Sequence, residues 1–237
     1  MKFAIASDHR DFFRKHQAIE FEGFLNQKQI TEIAKAIEEA LTKRLSQMKT
    51  KVKPSTNQLF KEGRDLWRSE PILKKLEMHQ LSEIVSNLME CKPLRLGYDQ
   101  YFPAFIPSLG QAFLSDSYKT LCKQTLSLNA ISSLERIVCG VMLCLTDQEK
   151  QEDSPIEKEF NIFSEKAGNA VFFHPNLPIN FSELEKRKGQ SYFLIVYTQA
   201  HAVYVMNEND PQPYHLKTFG YRVGDKLVDK HHPIAYP

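Results

Sequence analysis

Along the first ninety or so positions, apolar residues recur every three or four places. Ile30, Ile33, Ala34, Ile37 and Leu41 fall on one stripe, with acidic and basic residues largely between them, the pattern of a helix that buries one side. Asn26 stands where an N-cap is needed. The stretch from Pro54 to Thr56 breaks the pattern. A second helical stretch begins near Asn57 and carries Leu59, Phe60, Leu66 and Trp67. Ser69 followed by Pro71 reads as a cap and early proline of a third helix. Ile72, Leu73, Leu76, Leu81, Ile84, Val85 and Leu88 give that helix its apolar side, with a bend expected near His79.

After Cys91 the period shortens. Residues 93–102 are short, aromatic and strand-like. Ile137 to Leu145 is apolar on both faces, as a strand inside a core would be. Ala170 to His174 and Ser191 to Tyr197 read as two more strands, and Ala200 to Met206 as another or as a continuation. Ser108 to Leu128 is ambiguous between helix and coil, with Leu109, Phe113, Tyr118 and Leu121 inward if helical. Asp147 to Glu159 reads as an acidic surface loop, and Glu183 to Lys188 as a charged one. Helices first and antiparallel strands later give an α+β class. The expected organisation is one domain over 1–237, mainly helical over 1–91 and mainly β over 92–237.

Composition narrows the function classes. Hydrophobic residues make up 42% and charged residues 25% of the 237 positions, which is globular rather than disordered. The net charge of +2 is too small for a nucleic-acid footprint. Lys43, Arg44, Lys49, Lys51 and Lys53 form the densest basic run, and the default for such a run is a solvated helix end and linker. No stretch has membrane-spanning length. The N-terminus lacks an apolar run of signal-peptide length, so a cytoplasmic location is expected. Cys91, Cys122, Cys139 and Cys144 match no common zinc spacing and read as reduced thiols. Cys139 and Cys144 are an odd number of residues apart, so on a strand they face opposite sides. No phosphate-binding glycine loop, dinucleotide fingerprint or serine nucleophile elbow is present.

Four segments carry a family resemblance. Ile137 to Asp147 resembles the central strand and following loop of the iron(II)/2-oxoglutarate-dependent oxygenases, in particular the phytanoyl-CoA dioxygenase-like branch. Lys166 to Pro178 resembles that branch's Gly-Asp-x-x-x-Phe segment, with its turn at Gly168-Asn169. Ser191 to Tyr197 resembles the next strand, and Glu20 to Ile30 the Gly-Phe-Leu opening that leads into a helix. Hypothetical proteins of obligate intracellular bacteria look similar. The resemblance covers about two-thirds of the chain. It implies a double-stranded β-helix (jelly-roll) core buttressed by the N-terminal helices.

The resemblance also implies a donor set. Such enzymes hold iron(II) with a His-x-Asp or His-x-Glu triplet and a distant His, leaving positions open for co-substrate and dioxygen. His9-Arg10-Asp11 is the only such triplet, and it precedes the whole helical half. Residues 98–136, where the triplet belongs, contain no histidine. The distal-histidine position falls near Ile179, which cannot bind a metal. His174 lies earlier on the same segment and shares a strand face with Ala170 and Phe172. It and His201 are the remaining metal candidates, each with the blander reading of a partly buried histidine with one partner. Arg187 matches the co-substrate anchor, where a planar guanidinium grips a carboxylate with two hydrogen bonds. Its blander reading is a solvated residue between Lys186 and Lys188. His231 and His232 read as surface residues.

Three functions follow, in order. The first is an oxygenase-fold protein without a metal triad that binds a small carboxylate ligand or a protein partner. The second is an active oxygenase using iron(II) and 2-oxoglutarate with unusual ligands drawn from Asp99, Asp116, His174 or His201. The third is a regulatory nucleic-acid-binding protein resting on the Lys43 to Lys53 run.

Overall fold

The structure, a computed structural model, describes residues 4–47, 53–105, 116–147 and 161–237. It opens with helix α1 (Ser7–His16) and strand β1 (Ala18–Phe21), neither visible in the apolar pattern. Helix α2 (Gln27–Ser46) starts where expected, with Asn26 Oδ1 accepting from the Gln29 amide at 3.0 Å. Helix α3 (Thr56–Glu62) is capped by Ser55. The second helical stretch stops there. Residues 63–65 instead pair with the sheet edge, with the Tyr101 amide donating to Gly63 O at 2.7 Å and the Asp65 amide to Asp99 O at 3.1 Å. A 3-10 turn (Leu66–Arg68) follows.

The third helix is three pieces: α4 (Pro71–Lys75), a π-helical turn (Leu76–Leu81) and α5 (Ser82–Met89). The expected bend near His79 is this widened turn. Beyond it lie β2 (Leu94–Phe102), α6 (Ser117–Leu121), β3 (Thr125–Leu126), α7 (Leu128–Ile131) and β4 (Ile137–Cys144). Then come β5 (Ala170–Phe173), β6 (Ile179–Asn180), α8 (Glu183–Lys186), β7 (Tyr192–Gln199), a 3-10 turn (His215–Phe219) and β8 (Ile234–Tyr236). Much of the ambiguous 108–128 segment and most of the acidic loop after Asp147 lie outside the described residues. The described part of the former is the short α6 and β3. Residues 200–206 are not a regular strand. They turn at Ala200 and His201 and then make isolated bridges, Val203 to Lys226 and Tyr204 to Leu134.

The main sheet is antiparallel, in the order β1-β5-β4-β7-β2-β8, and β3 pairs with β6 in a smaller one. Two cores lie on the two faces of the main sheet. On one face α2, α4 and α5 pack against Val141, Phe172, Ile195 and Tyr197. On the other, Met142, Phe173, Leu194 and Val196 join the short helices and the small sheet in a barrel interior. Cys139 and Cys144 belong to opposite cores, as their spacing requires. All four cysteines are free, with Cys91 half-buried. Burial pushes the thiols of Cys139 and Cys144 up to about 12. Bulges at Leu96/Tyr98 in β2 and Ile137/Cys139 in β4 flip the alternation partway along each strand. Among the described residues no helix is long and apolar enough to cross a membrane.

Candidate functional site

The barrel interior is where an oxygenase-like site would sit, and the sequence fills it with rings. Phe102, Phe163, Phe173, Phe181, Tyr118 and Tyr192 are all at most 2% exposed. Phe163 contacts Tyr192 at 5.2 Å and Phe181 at 6.1 Å between centroids, and Phe181 stacks on Phe102 at 6.4 Å. The strand surface is packed flush. A Cβ on Gly140 would lie 2.5 Å from Phe173 Cζ and 2.6 Å from Leu128 Cδ1. Ile179 starts β6, pairs with Leu126 of β3 and is 2% exposed in this core. Gly168 makes the turn into β5 with φ +88°, and a Cβ there would lie 2.4 Å from Leu25 O.

No family model matches the chain, and no curated protein matches it. Solved structures do match along nearly the whole length. The non-heme alpha-ketoglutarate-dependent carbocyclase SnoK from nogalamycin biosynthesis superposes with TM-score 0.64 at 16% identity, covering 97% of this chain and 96% of that one. CytC3 with Fe(II) and alpha-ketoglutarate gives 0.58 at 13% identity, over 99% and 94%. The epimerase SnoN, in complex with Fe3+, alpha-ketoglutarate and nogalamycin RO, gives 0.57 at 13% identity, over 96% and 97%. The fold is that of the iron(II)/2-oxoglutarate oxygenases. At these identities the likeness fixes the oxygenase fold alone.

The side chains nominated from sequence do not converge within this oxygenase fold. His9 lies on α1, its Nδ1 accepting from the Ala6 amide at 3.2 Å and its ring edge-on to Phe21. His174 follows β5, half-buried, with Nδ1 accepting from the Asn176 amide at 3.3 Å. Burial lowers its pKa. His201 is exposed in a turn rather than placed on a strand. Asp116 caps α6 by accepting from the Lys119 amide at 2.9 Å. Asp99 pairs in register with Ile195, on the helix-side face of the sheet, away from the barrel interior. Its two oxygens accept the Leu66 and Trp67 amides, each at 2.8 Å. Among the described residues no group of three His, Cys, Asp or Glu side chains is placed to hold a metal. Residues 106–115 contain none of these four types. Among the described residues the donors do not fit an iron(II) facial triad.

Arg187 is different. It is not the solvated loop residue its charged neighbours suggest, but 9% exposed at the end of α8. Its Nη1 lies 3.9 Å from Glu165 Oε1, and its guanidinium interacts with the Tyr192 hydroxyl. That hydroxyl donates to Ser164 O at 3.0 Å and also lies 2.9 Å from Gln190 Oε1. Arg187 Nε is buried without a partner. A buried donor without an acceptor costs about 1–3 kcal/mol, so this rim of the barrel offers a cationic hydrogen-bond donor.

Most buried charge lies elsewhere, and sequence reasoning missed it. At the edge of β2 that residues 63–65 cover, Arg64 pairs with Asp210 at 3.0 Å, both almost fully buried, and stacks over the Tyr98 ring at 4.1 Å. Burial would lower the Arg64 pKa, but Asp210, Tyr98 and Asp65 together outweigh it and the net shift is upward. Asp65 Oδ2 meets His215 Nε2 at 3.0 Å and Arg68 Nε at 3.2 Å. Burial would raise the Asp65 carboxyl, yet the His215 hydrogen bond and the Arg68 charge hold it well below the carboxylate range. His232 is fully buried rather than a surface residue, with Nδ1 2.8 Å from Gly97 O at the bulge. Burial drives its pKa down to about 4. Arg95 ties down the same tail through His232 O and through Asp229 at 2.8 Å, and it also donates to Ala200 O, in the turn after β7, at 2.8 Å. Arg44, counted in the basic run, is half-buried and donates to the carbonyls of Glu62, Arg64 and Asp65 at 2.6, 2.6 and 2.8 Å. Lys49 and Lys51 of that run lie outside the described residues. The local signal was a charged residue inside an apolar stretch, as at Arg64-Asp65 before Leu66-Trp67, but no sequence rule pairs Asp65 with His215 150 positions away.

Proposed function

We propose that this chain is an oxygenase-fold protein of the phytanoyl-CoA dioxygenase-like branch that performs no iron(II)/2-oxoglutarate chemistry and binds a small carboxylate ligand. The observation that carries the reading is Ile179. It occupies the position where the resemblance calls for the distal histidine, and it is buried in the barrel core, in a cluster rich in aromatic side chains. Arg187 supports the binding half. A guanidinium held at the barrel rim with an unpartnered Nε suits a carboxylate, and such a ligand would compete with the distant Glu165 contact.

The test has two arms. In the first, turnover of 2-oxoglutarate to succinate is measured anaerobically loaded with iron(II) and then exposed to air. No turnover is expected. Succinate formation that disappears on replacing His174 or His201 with Ala would overturn the reading and establish a rearranged metal site. In the second, succinate and 2-oxoglutarate binding is followed by calorimetry on the wild type and Arg187→Met. The variant should lose about 1.5–3 kcal/mol, the usual worth of a charge-assisted bond. Equal affinities would remove Arg187 from the site.

A further inference from the structure

The helix-side face of the sheet holds a pair of carboxyl groups that the proposed function does not use. Glu77 sits in the π-helical turn and Asp99 in the middle of β2, both with 0% exposure. Their carboxyls interact directly. The surroundings of the two are unequal. Asp99 accepts two backbone amides, from Leu66 and Trp67, which suits an ionised group. No donor reaches either buried Glu77 oxygen, which suits a neutral acid, because an ionised carboxylate so placed would carry an uncompensated buried charge. The charged groups around them do not supply a counter-ion. Asp65, before the 3-10 turn, adds negative charge toward both. Arg68 and His215 are engaged by Asp65, and His232 is also coupled to Asp65. From β7, Tyr197 donates its hydroxyl to Glu77 O at 2.6 Å, with Cys139 of β4 beside it.

We propose that Glu77 and Asp99 share one proton, held on Glu77 and donated to Asp99, and that this proton fastens residues 66–81 to the main sheet. The segment is joined to the sheet at three polar points: the Asp99 carboxylate under the 3-10 turn, the Glu77–Asp99 contact, and the Tyr197 bond to the π-helical turn. Loss of the proton to solvent leaves two facing carboxylates in a dry core and loosens the first two of these points. Burial, with the neighbouring Asp99 carboxylate, raises the Glu77 pKa well above its ordinary value; burial and the Asp65 charge raise the Asp99 carboxyl to about 7, against the Trp67, Leu66 and Glu77 hydrogen bonds, which lower it.

The unfolded chain gives up both carboxyl protons by about pH 5. The folded pair keeps at least one beyond that point. The folded state therefore binds more protons, and stability falls as pH rises, the folding equilibrium constant dropping about tenfold per pH unit for each retained proton until the pair ionises. The test is urea unfolding of the wild type and Glu77→Gln between about pH 5.5 and 9. The glutamine amide can donate to Asp99 but cannot ionise. The wild type should lose stability with rising pH more steeply than the variant, in which Asp99 is the only ionisable member of the pair, and amide protection at Leu66 and Trp67 should fall in step. Superimposable pH profiles would overturn the proposal. Should the variant fail to fold, carbon-13 NMR of wild-type protein labelled at the glutamate carboxyls decides. One glutamate should still resonate as the protonated acid at pH 7, and ionised signals from every glutamate would contradict it.

Discussion

The two faces of the main sheet divide the molecule's chemistry in an unexpected way. The barrel side, which in this fold would carry the reaction, is built from aromatic rings and Ile179. The helix side and the β2 edge hold Glu77, Asp99, Asp65, Arg64 and His232, all buried. Buried charge commonly marks a functional cleft. Here most of it serves attachment: Arg64 to Asp210 holds the 205–213 loop, Asp65 to His215 holds the second 3-10 turn, and Arg95 holds the C-terminal tail. The contrast places aromatic packing inside the barrel and the buried polar networks on the helix side and at the β2 edge.

The contrast is most exposed to failure inside the barrel. If the ring cluster is structural core, Phe181→Ala should cost about 3–5 kcal/mol in urea unfolding, as for other fully buried aromatics. A loss below about 1 kcal/mol would mean that the rings line a space built for something else. The β2 edge gives the next largest effect. His232 is buried and neutral, with its pKa near 4 against an ordinary value of 6.5. Below pH 6.5 the unfolded chain takes up a proton that folded His232 refuses, so stability should fall as pH drops from 6.5 to 4, by on the order of 2–4 kcal/mol. The unfolding free energy of His232→Asn should lack that slope. If its slope matches the wild type, the tail is not docked through a neutral imidazole. Smaller still is the Asn26 cap on α2, where Asn26→Ala should cost about 1 kcal/mol by the same assay.

Much of this architecture was legible in the sequence. Ile30 to Leu41 marked α2, and the doubly apolar Ile137 to Leu145 marked β4, because a periodic pattern reports directly on which faces are buried. The α1–β1 pair was not legible. Phe12 is exposed and Phe13 buried, and β1 gains its place only by pairing with β5, 150 positions away. The stop after Glu62 was hidden for a similar reason, since residues 63–65 answer to the edge of β2 rather than to helix propensity. The site was half legible. Ile179 could be read as a missing ligand, and its burial among rings required the fold. His201 was assigned to a strand that long-range bridges replace with a turn. His232 was assigned to the surface because nothing local shows that the β2 bulge opens a carbonyl for its imidazole.

The central claim is that the barrel interior is a core and not a metal centre. Its most direct test is anaerobic titration of the purified chain with iron(II), followed by desalting and metal analysis. Three donors held together are needed for tight binding, and a lone imidazole such as His174 leaves the rest of the coordination sphere to water. The account predicts iron far below one equivalent after desalting, unchanged by replacing His174 or His201 with Ala. One iron retained per chain, and lost with either replacement, would contradict it.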